Sequence, residues 1–332
     1  MTGDANTDWT SAVKTVDDAS QVCLACHIRP DGDALGSMLA MAVALASRAG
    51  DRAVVASFGD SPFEVPRILR FLPGQSLLCR PAEYPVRPEV MISFDAASID
   101  RLGPLAGPAA AAGALIVLDH HASNTGFGTI NLVDPAAAAT AVLATELIDR
   151  LGIPLSQDIA VGLYAGLVTD TGSFKYAATT PQVHELAARL LATGIDPGVV
   201  ARELYDRAPF SYLHLLSASL RRACLEPGAA GGLGLVWTTV TRADRAAAGL
   251  PLESAEPVID VIRKCDEAEV AAVLKEDDAG TWQVSARSKA AVDVGELCAA
   301  LGGGGHARAA GFSFTGHPGE AVAALRRLLD RQ

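Results

Sequence analysis

Four short apolar runs rich in β-branched residues constrain this chain more than anything else in it, because three of them end in an acid or a histidine. They are QVCLACH (21–27), RAVVASF (52–58), EVMISFD (89–95) and ALIVLDH (114–120), and stretches of helical character separate them. Buried strands alternating with helices predict a parallel sheet covered on both faces, an α/β fold. The first run is followed by the loop IRPDGD and a helix, ALGSMLAMAVALASRAG, which Gly50 should stop. Segments 140–152, 156–168 and 181–194 read as further helices, the last two behind the start signals SQD and TTPQ.

A second α/β domain is expected after helical segments near 198–225 and the turn EPGAAGGLG, which places a boundary around 225–232. It should hold a strand in LGLVWTTV, a helix at 255–265, strands at 268–275 and 281–287, and a helix at 293–301. The loop GGGGHARAAG, strand FSF and a terminal helix at 318–331 follow. The expected division is 14–195, a helical linker 196–230, and 231–332.

In an open parallel sheet the carboxyl ends of the strands line one crevice, and ligands bind there. His27, Asp31 and Asp33 follow the first run, Asp95 ends the third, and Asp119-His120-His121 end the fourth. These acids and imidazoles should therefore converge. Each taken alone has an ordinary explanation: an Asp at a strand end is usually a helix cap or turn residue, and a His is usually a surface or satisfied core residue. As a set they would repel one another and be costly to desolvate, which divalent cations remedy. Mixed histidine and carboxylate ligation suits Mn²⁺, Fe²⁺ or Zn²⁺, with Mg²⁺ and Co²⁺ also admissible. The donors exceed the needs of one ion and suit two bridged by a carboxylate, the arrangement that serves in-line phosphoryl displacement.

The net charge of −11 argues against a surface that tracks long duplex nucleic acid, without excluding a small anionic substrate. The polar, acidic N-terminus lacks the pattern of a signal peptide, and no long uncharged apolar run is present. A cytoplasmic protein with no membrane partner is expected. Cys23 and Cys26 form a C-x-x-C, but no second pair completes a tetrahedral site. Inside a buried strand the two point to opposite faces, so they read as small core residues in a reducing compartment.

The motifs HIRPDGDALGS, ISFDAAS, LDHHASN and LVTDTGSF resemble the four successive motifs of the DHH phosphoesterase family. SARSK and VDVGELCAALGGGGHARAAGF are similar to the DHH-associated C-terminal domain with its GGGH signature. The two-domain form resembles the bacterial bifunctional oligoribonuclease and pAp phosphatase group. The resemblance implies a Rossmann-like N-terminal domain, a smaller substrate-binding domain, and an active site in the cleft between them. It implies His27, Asp31 and Asp95 on one metal, and Asp33, Asp95, His120 and Asp170 on a second, with Mn²⁺ foremost. Asp170 rests on the resemblance alone, since spacing does not place it beside the other acids. His121 would face the substrate phosphate, and Asp119 would fix the adjacent histidine.

The glycine run 302–305 also has a physical reading, because consecutive glycines let backbone N–H groups approach a phosphate. With Gly303, Gly304, Gly305 and His306, the expected substrate contacts are Arg287, Ser285 and Ser288. Arg308, Lys175 and Arg29 stand near these motifs, where a phosphate contact and a solvated surface role are both open. The expected activity is hydrolysis of phosphate esters in short nucleotides: two-to-five-residue oligoribonucleotides, pApA, pGpG, pAp or cyclic di-AMP. The alternatives are a non-catalytic nucleotide-binding regulator and a RecJ-like single-strand exonuclease. A homodimer is also implied.

Overall fold

The computed structural model describes residues 5–48 and 52–330, which divide into two compact units, Met1–Arg207 and Ala208–Gln332. In the first, strands β1 (Gln21–Cys26), β2 (Ala53–Phe58), β3 (Val90–Phe94), β4 (Ala114–Asp119) and β5 (Ile130–Val133) form one all-parallel sheet in the order 2-1-3-4-5. The four expected strands are present, and β5 is added at the edge. Helices α1 (Ala5–Asp18), α2 (Gly32–Ala46), α3 (Ala106–Ala111), α4 (Thr140–Arg150), α5 (Gln157–Asp170), α6 (Pro181–Leu191) and α7 (Pro197–Tyr205) complete the unit. Gly50, the expected stop of α2, lies outside the described residues.

The two faces of the sheet are covered differently. Leu24, Ile92, Ile116 and Leu118 pack into a large cluster with Leu35, Met38, Leu39, Leu147 and Leu163 of α2, α4 and α5. On the other side, Cys23, Ala25, Met91, Leu115 and Val117 meet Leu102, Leu105 and Ala109 of a 3₁₀ turn (Ile99–Leu105) and α3. Cys23 and Cys26 thus sit in opposite clusters, as period-2 alternation requires. Burial pushes the Cys23 thiol up to about 12 and that of Cys26 up as well, which makes both inert.

α2 and α5 pack at very short range through glycines. A Cβ on Gly36 would lie 2.4 Å from the Gly162 carbonyl oxygen, and one on Gly166 would lie 2.6 Å from Asp33 Oδ1. Ser156 caps α5, its hydroxyl accepting from the Ile159 N–H, in keeping with the SQD start signal.

The second unit holds a six-stranded mixed sheet, ordered 10-11-9-8-7-6. Its strands are β6 (Cys224–Glu226), β7 (Leu235–Val240), β8 (Val270–Glu276), β9 (Thr281–Ser288), β10 (Gly304–His306) and β11 (Ala309–Thr315). Only β7 and β8 pair in parallel. One face packs against α11 (Val294–Ala300) and α12 (Pro318–Leu329); the other packs against α8 (Phe210–Arg221) and α10 (Val258–Ile262), with α9 (Arg242–Ala248) nearby in sequence. Two expectations are corrected. Residues 224–226 are strand rather than helix, because they pair with Leu235–Trp237. GGGGHARAAG is not an open loop: Gly304–His306 pair antiparallel with Ala309–Gly311. No helix among the described residues is long and apolar enough to cross a membrane.

Candidate metal centre

The strand order 2-1-3-4-5 reverses between β1 and β3, and the crevice beyond their carboxyl ends is the ligand position such sheets provide. His27 directly follows β1 and Asp95 directly follows β3. Asp95 has a left-handed backbone (φ 55°), a conformation Asp tolerates better than most residues, while its N–H still bonds the Leu118 carbonyl at 3.0 Å. Such local strain concentrates where a side chain must be aimed.

Asp95 is the hub. Its Oδ2 lies 3.5 Å from His27 Nε2, and its Oδ1 lies 3.5 Å from His120 Nε2 and 3.6 Å from His121 Nδ1. Asp31 Oδ1 lies 3.9 Å from His27 Nε2. On the other side, Asp170 Oδ2 and Asp33 Oδ2 lie 3.1 and 4.0 Å from His120 Nε2. Among the ligand-sized groups that result, His27–Asp31–Asp95 and Asp33–Asp95–His120 share Asp95, which also forms a third with Asp119 and His121. The structure therefore brings together all six residues expected to hold metal.

Local structure explains how each is aimed. Asp31 is the N-cap of α2 and accepts from the N–H groups of Asp33 and Ala34, so the cap and the site residue are the same side chain. Asp33, buried in the first turn of α2, accepts from Ser37 Oγ at 3.0 Å and from the Thr140 and Ala141 N–H groups at 2.6 and 2.9 Å. The first turn of α4 is a natural seat for a carboxylate. His27 Nδ1 donates to the Ile28 carbonyl at 2.8 Å, and His120 Nδ1 to that of Ala137 at 3.1 Å. Both rings thereby turn Nε2 toward the acids, the usual arrangement of ligating imidazoles. Asp170 closes α5, and the glycine contact between α2 and α5 carries it to Asp33.

Asp119 is fully buried and stands behind the ligands. It accepts from His121 Nδ1 at 2.7 Å, from the His120 N–H at 2.9 Å and from Asn124 Nδ2 at 2.6 Å. Thr140 and Asn124 carry no functional expectation from sequence, yet both hold site carboxylates.

The electrostatics describe a centre short of positive charge. Burial opposes charge on His27, yet Asp95 and Asp31 push it up to about 9; His120, against the same penalty, is pushed up to about 10 by Asp170, Asp33 and Asp95. Asp95 is held far below the usual carboxylate range despite burial, because His27, His121 and His120 surround it. Burial, Asp170 and Asp95 push Asp33 up, and burial with Asp31 and Asp95 pushes Asp170 up to about 6 against the pull of His120. Without cations such a site must hold protons between its carboxylates and imidazoles. The donor set fits divalent ions, which remove that need.

In the second unit, Ser285 and Arg287 lie on one face of β9, with the Ser285 hydroxyl accepting from Lys275 Nζ at 2.9 Å. Ser288 faces the other way, buried, and donates to Glu269 at 2.9 Å while accepting from Arg308 Nη1 at 3.3 Å. Strand alternation thus puts Ser288, expected to contact substrate, on the opposite face from Ser285 and Arg287. Arg308 also donates to the Val292 carbonyl at 2.8 Å and so braces the loop before α11. Gly302 and Gly303 end α11 through bonds to the Ala299 and Cys298 carbonyls. Gly303 to His306 are exposed. Arg29, next to the metal centre in sequence, donates its N–H to Asp60 at 2.7 Å, and Lys175 is exposed.

The chain is similar to known proteins over most of its length. Residues 21–167 match the DHH family, N-terminal domain, and residues 243–332 match the DHHA1 domain. A bifunctional oligoribonuclease and PAP phosphatase of Thermus thermophilus is 33% identical over 295 residues, covering 89% of this chain and 84% of that protein. A cyclic-di-AMP phosphodiesterase of Bacillus subtilis is 28% identical over 65% of this chain and 32% of its own length. Among solved structures, an exopolyphosphatase-related protein from Bacteroides fragilis superposes with a TM-score of 0.87 at 25% identity, over 98% of this chain and 96% of that one.

Proposed function

From the premise that the chain belongs to the DHH family of phosphoesterases, we propose that it hydrolyses phosphate esters in short nucleotides at a centre of two divalent ions, Mn²⁺ foremost. The observation that carries the reading is the sharing of Asp95 between two ligand groups. His27, Asp31 and Asp95 would hold one ion; Asp33, Asp95, His120 and Asp170 the other. When bound, such a pair supplies an activated water and charge neutralisation for in-line displacement at phosphorus.

The chain's own groups do the rest. Asp119 holds His121 by Nδ1 and, against burial, helps Asp95 favour the protonated ring, whose Nε2–H can then donate to a phosphate oxygen or protonate a leaving oxygen. Carbonyl bonds from Ile28 and Ala137 fix the ligating faces of His27 and His120. In the second unit, Ser285, Arg287, Gly303 to Gly305 and His306 are assigned to the substrate's far end, where an arginine suits bidentate phosphate recognition. Short substrates are favoured because the Thermus thermophilus relative, by name, acts on oligoribonucleotides and PAP.

The test is hydrolysis of pAp, pApA, pGpG, cyclic di-AMP and two-to-five-residue RNA by the metal-stripped protein with Mn²⁺, Mg²⁺, Co²⁺ or Zn²⁺ restored in turn. Metal-dependent release from at least one is expected. Tight nucleotide binding without turnover across all metals would sink the enzyme reading in favour of a regulator.

A further inference from the structure

One five-residue segment, Ala137–Ala141, touches three metal-centre side chains that come from three different elements. The Ala137 carbonyl accepts from His120, the Thr140 and Ala141 N–H groups hold the two oxygens of Asp33, and the Thr140 hydroxyl donates to Asp95 Oδ1 at 3.0 Å. Four of these five residues are alanines, so Thr140 alone contributes a side-chain hydrogen bond. It is fully buried. Resting on the metal reading above, we propose that Thr140 is the positioning residue that locks the shared carboxylate Asp95 to Asp33.

Asp33 and Asp95 are buried neighbours of like charge and belong to different elements, α2 and the end of β3. Left to themselves they would rotate apart. Thr140 prevents this by holding one oxygen of each, Asp33 Oδ2 through its N–H and Asp95 Oδ1 through its hydroxyl. The other oxygen of Asp95, Oδ2, is then the one left facing His27. The hydroxyl therefore decides which oxygen of the shared ligand serves which half of the centre. Its position at the start of α4 ties that choice to rigid helical backbone rather than to a loop.

Removing a group that orients ligands typically costs about 10–100-fold in metal affinity. Thr140→Val keeps the shape and the N–H to Asp33 and deletes only the donor to Asp95. Thr140→Ser keeps the donor. Mn²⁺ would be titrated calorimetrically into the metal-stripped full chain, with metal-free thermal unfolding alongside and kcat and KM on the best substrate of the panel. The valine chain should bind Mn²⁺ about 10–100-fold more weakly and lose kcat with little change in KM, while the serine chain should behave as wild type. If the valine chain does not fold, Thr140→Ala carries the same comparison. Equal Mn²⁺ affinity in the serine chain and in the donor-less chain would overturn the proposal. Wild-type protein that binds no Mn²⁺ would instead overturn the metal reading on which it rests.

Discussion

Gly166→Ala should destabilise this protein, although helix propensity alone says the reverse. Gly166 lies inside α5, where an alanine is favoured over glycine by about 1 kcal/mol. Here the new Cβ would stand 2.6 Å from Asp33 Oδ1 and 3.1 Å from both the Asp33 Cα and the Ala141 Cβ. Asp33 cannot easily give way, because that same oxygen accepts from Ser37 and from the Ala141 N–H. Overpacking costs about 1–3 kcal/mol, and each bond lost to a charged acceptor about 1.5–3 kcal/mol. With one such bond lost and the propensity gain subtracted, the net cost is about 1.5–5 kcal/mol. At about 2–4 °C per kcal/mol for a unit of this size, thermal unfolding of the metal-free chain should fall by roughly 3–20 °C. Calorimetric Mn²⁺ titration should show weakened binding as well, since Asp33 is displaced. Gly107→Ala is the control: it too is helical, and its Cβ would meet nothing within 4 Å. A Gly166→Ala chain that melts higher than wild type and binds Mn²⁺ unchanged would refute the reasoning.

Two further outcomes follow from the site's electrostatics. His27 and His120, pushed up to about 9 and about 10, carry protons at neutral pH in the metal-free chain, and ligation must expel them. Apparent Mn²⁺ affinity should therefore rise with pH between about 7 and 9, with proton release visible as a heat that depends on the buffer's ionisation enthalpy. Because both folded-state values lie above the ordinary 6.5, these groups stabilise the metal-free fold fully below that value, and the contribution is lost as pH rises through about 9 to 10. Asp119→Asn should lower kcat far more than Mn²⁺ affinity, because Asp119 holds His121 and Asn124 rather than facing both ligand groups; parallel losses in the two would contradict its assignment.

How much of this was legible in the sequence depends on what sets each residue's position. The strand ends His27, Asp95 and His120 were legible, since apolar runs mark parallel strands and a parallel sheet gathers its carboxyl ends. Asp170 was not, because its place depends on the close approach of α2 and α5. The signal for that was present but unread: Gly32 and Gly36 in one helix and Gly162 and Gly166 in the other repeat at a spacing of four, one helical face. Thr140 sits in a run of alanines that carries no periodicity to single it out. α1 was missed because its composition is polar and acidic, and only a narrow stripe including Ala12 and Val16 is buried. β5 is four residues long and sits at the sheet edge. Along β9, alternation puts Ser285 and Arg287 on one face and Ser288 on the other, a distinction the SARSK motif does not carry by itself.

On the proposed reading, Asp95 serves two ions at once. Manganese stoichiometry decides it, measured by calorimetry and elemental analysis on wild type and on Asp95→Asn, which keeps the volume and removes the charge. Wild type should bind two Mn²⁺ per chain, and the variant should lose both tight sites together with turnover. A variant that keeps one site at wild-type affinity, or a wild type that saturates at a single ion, would contradict the account.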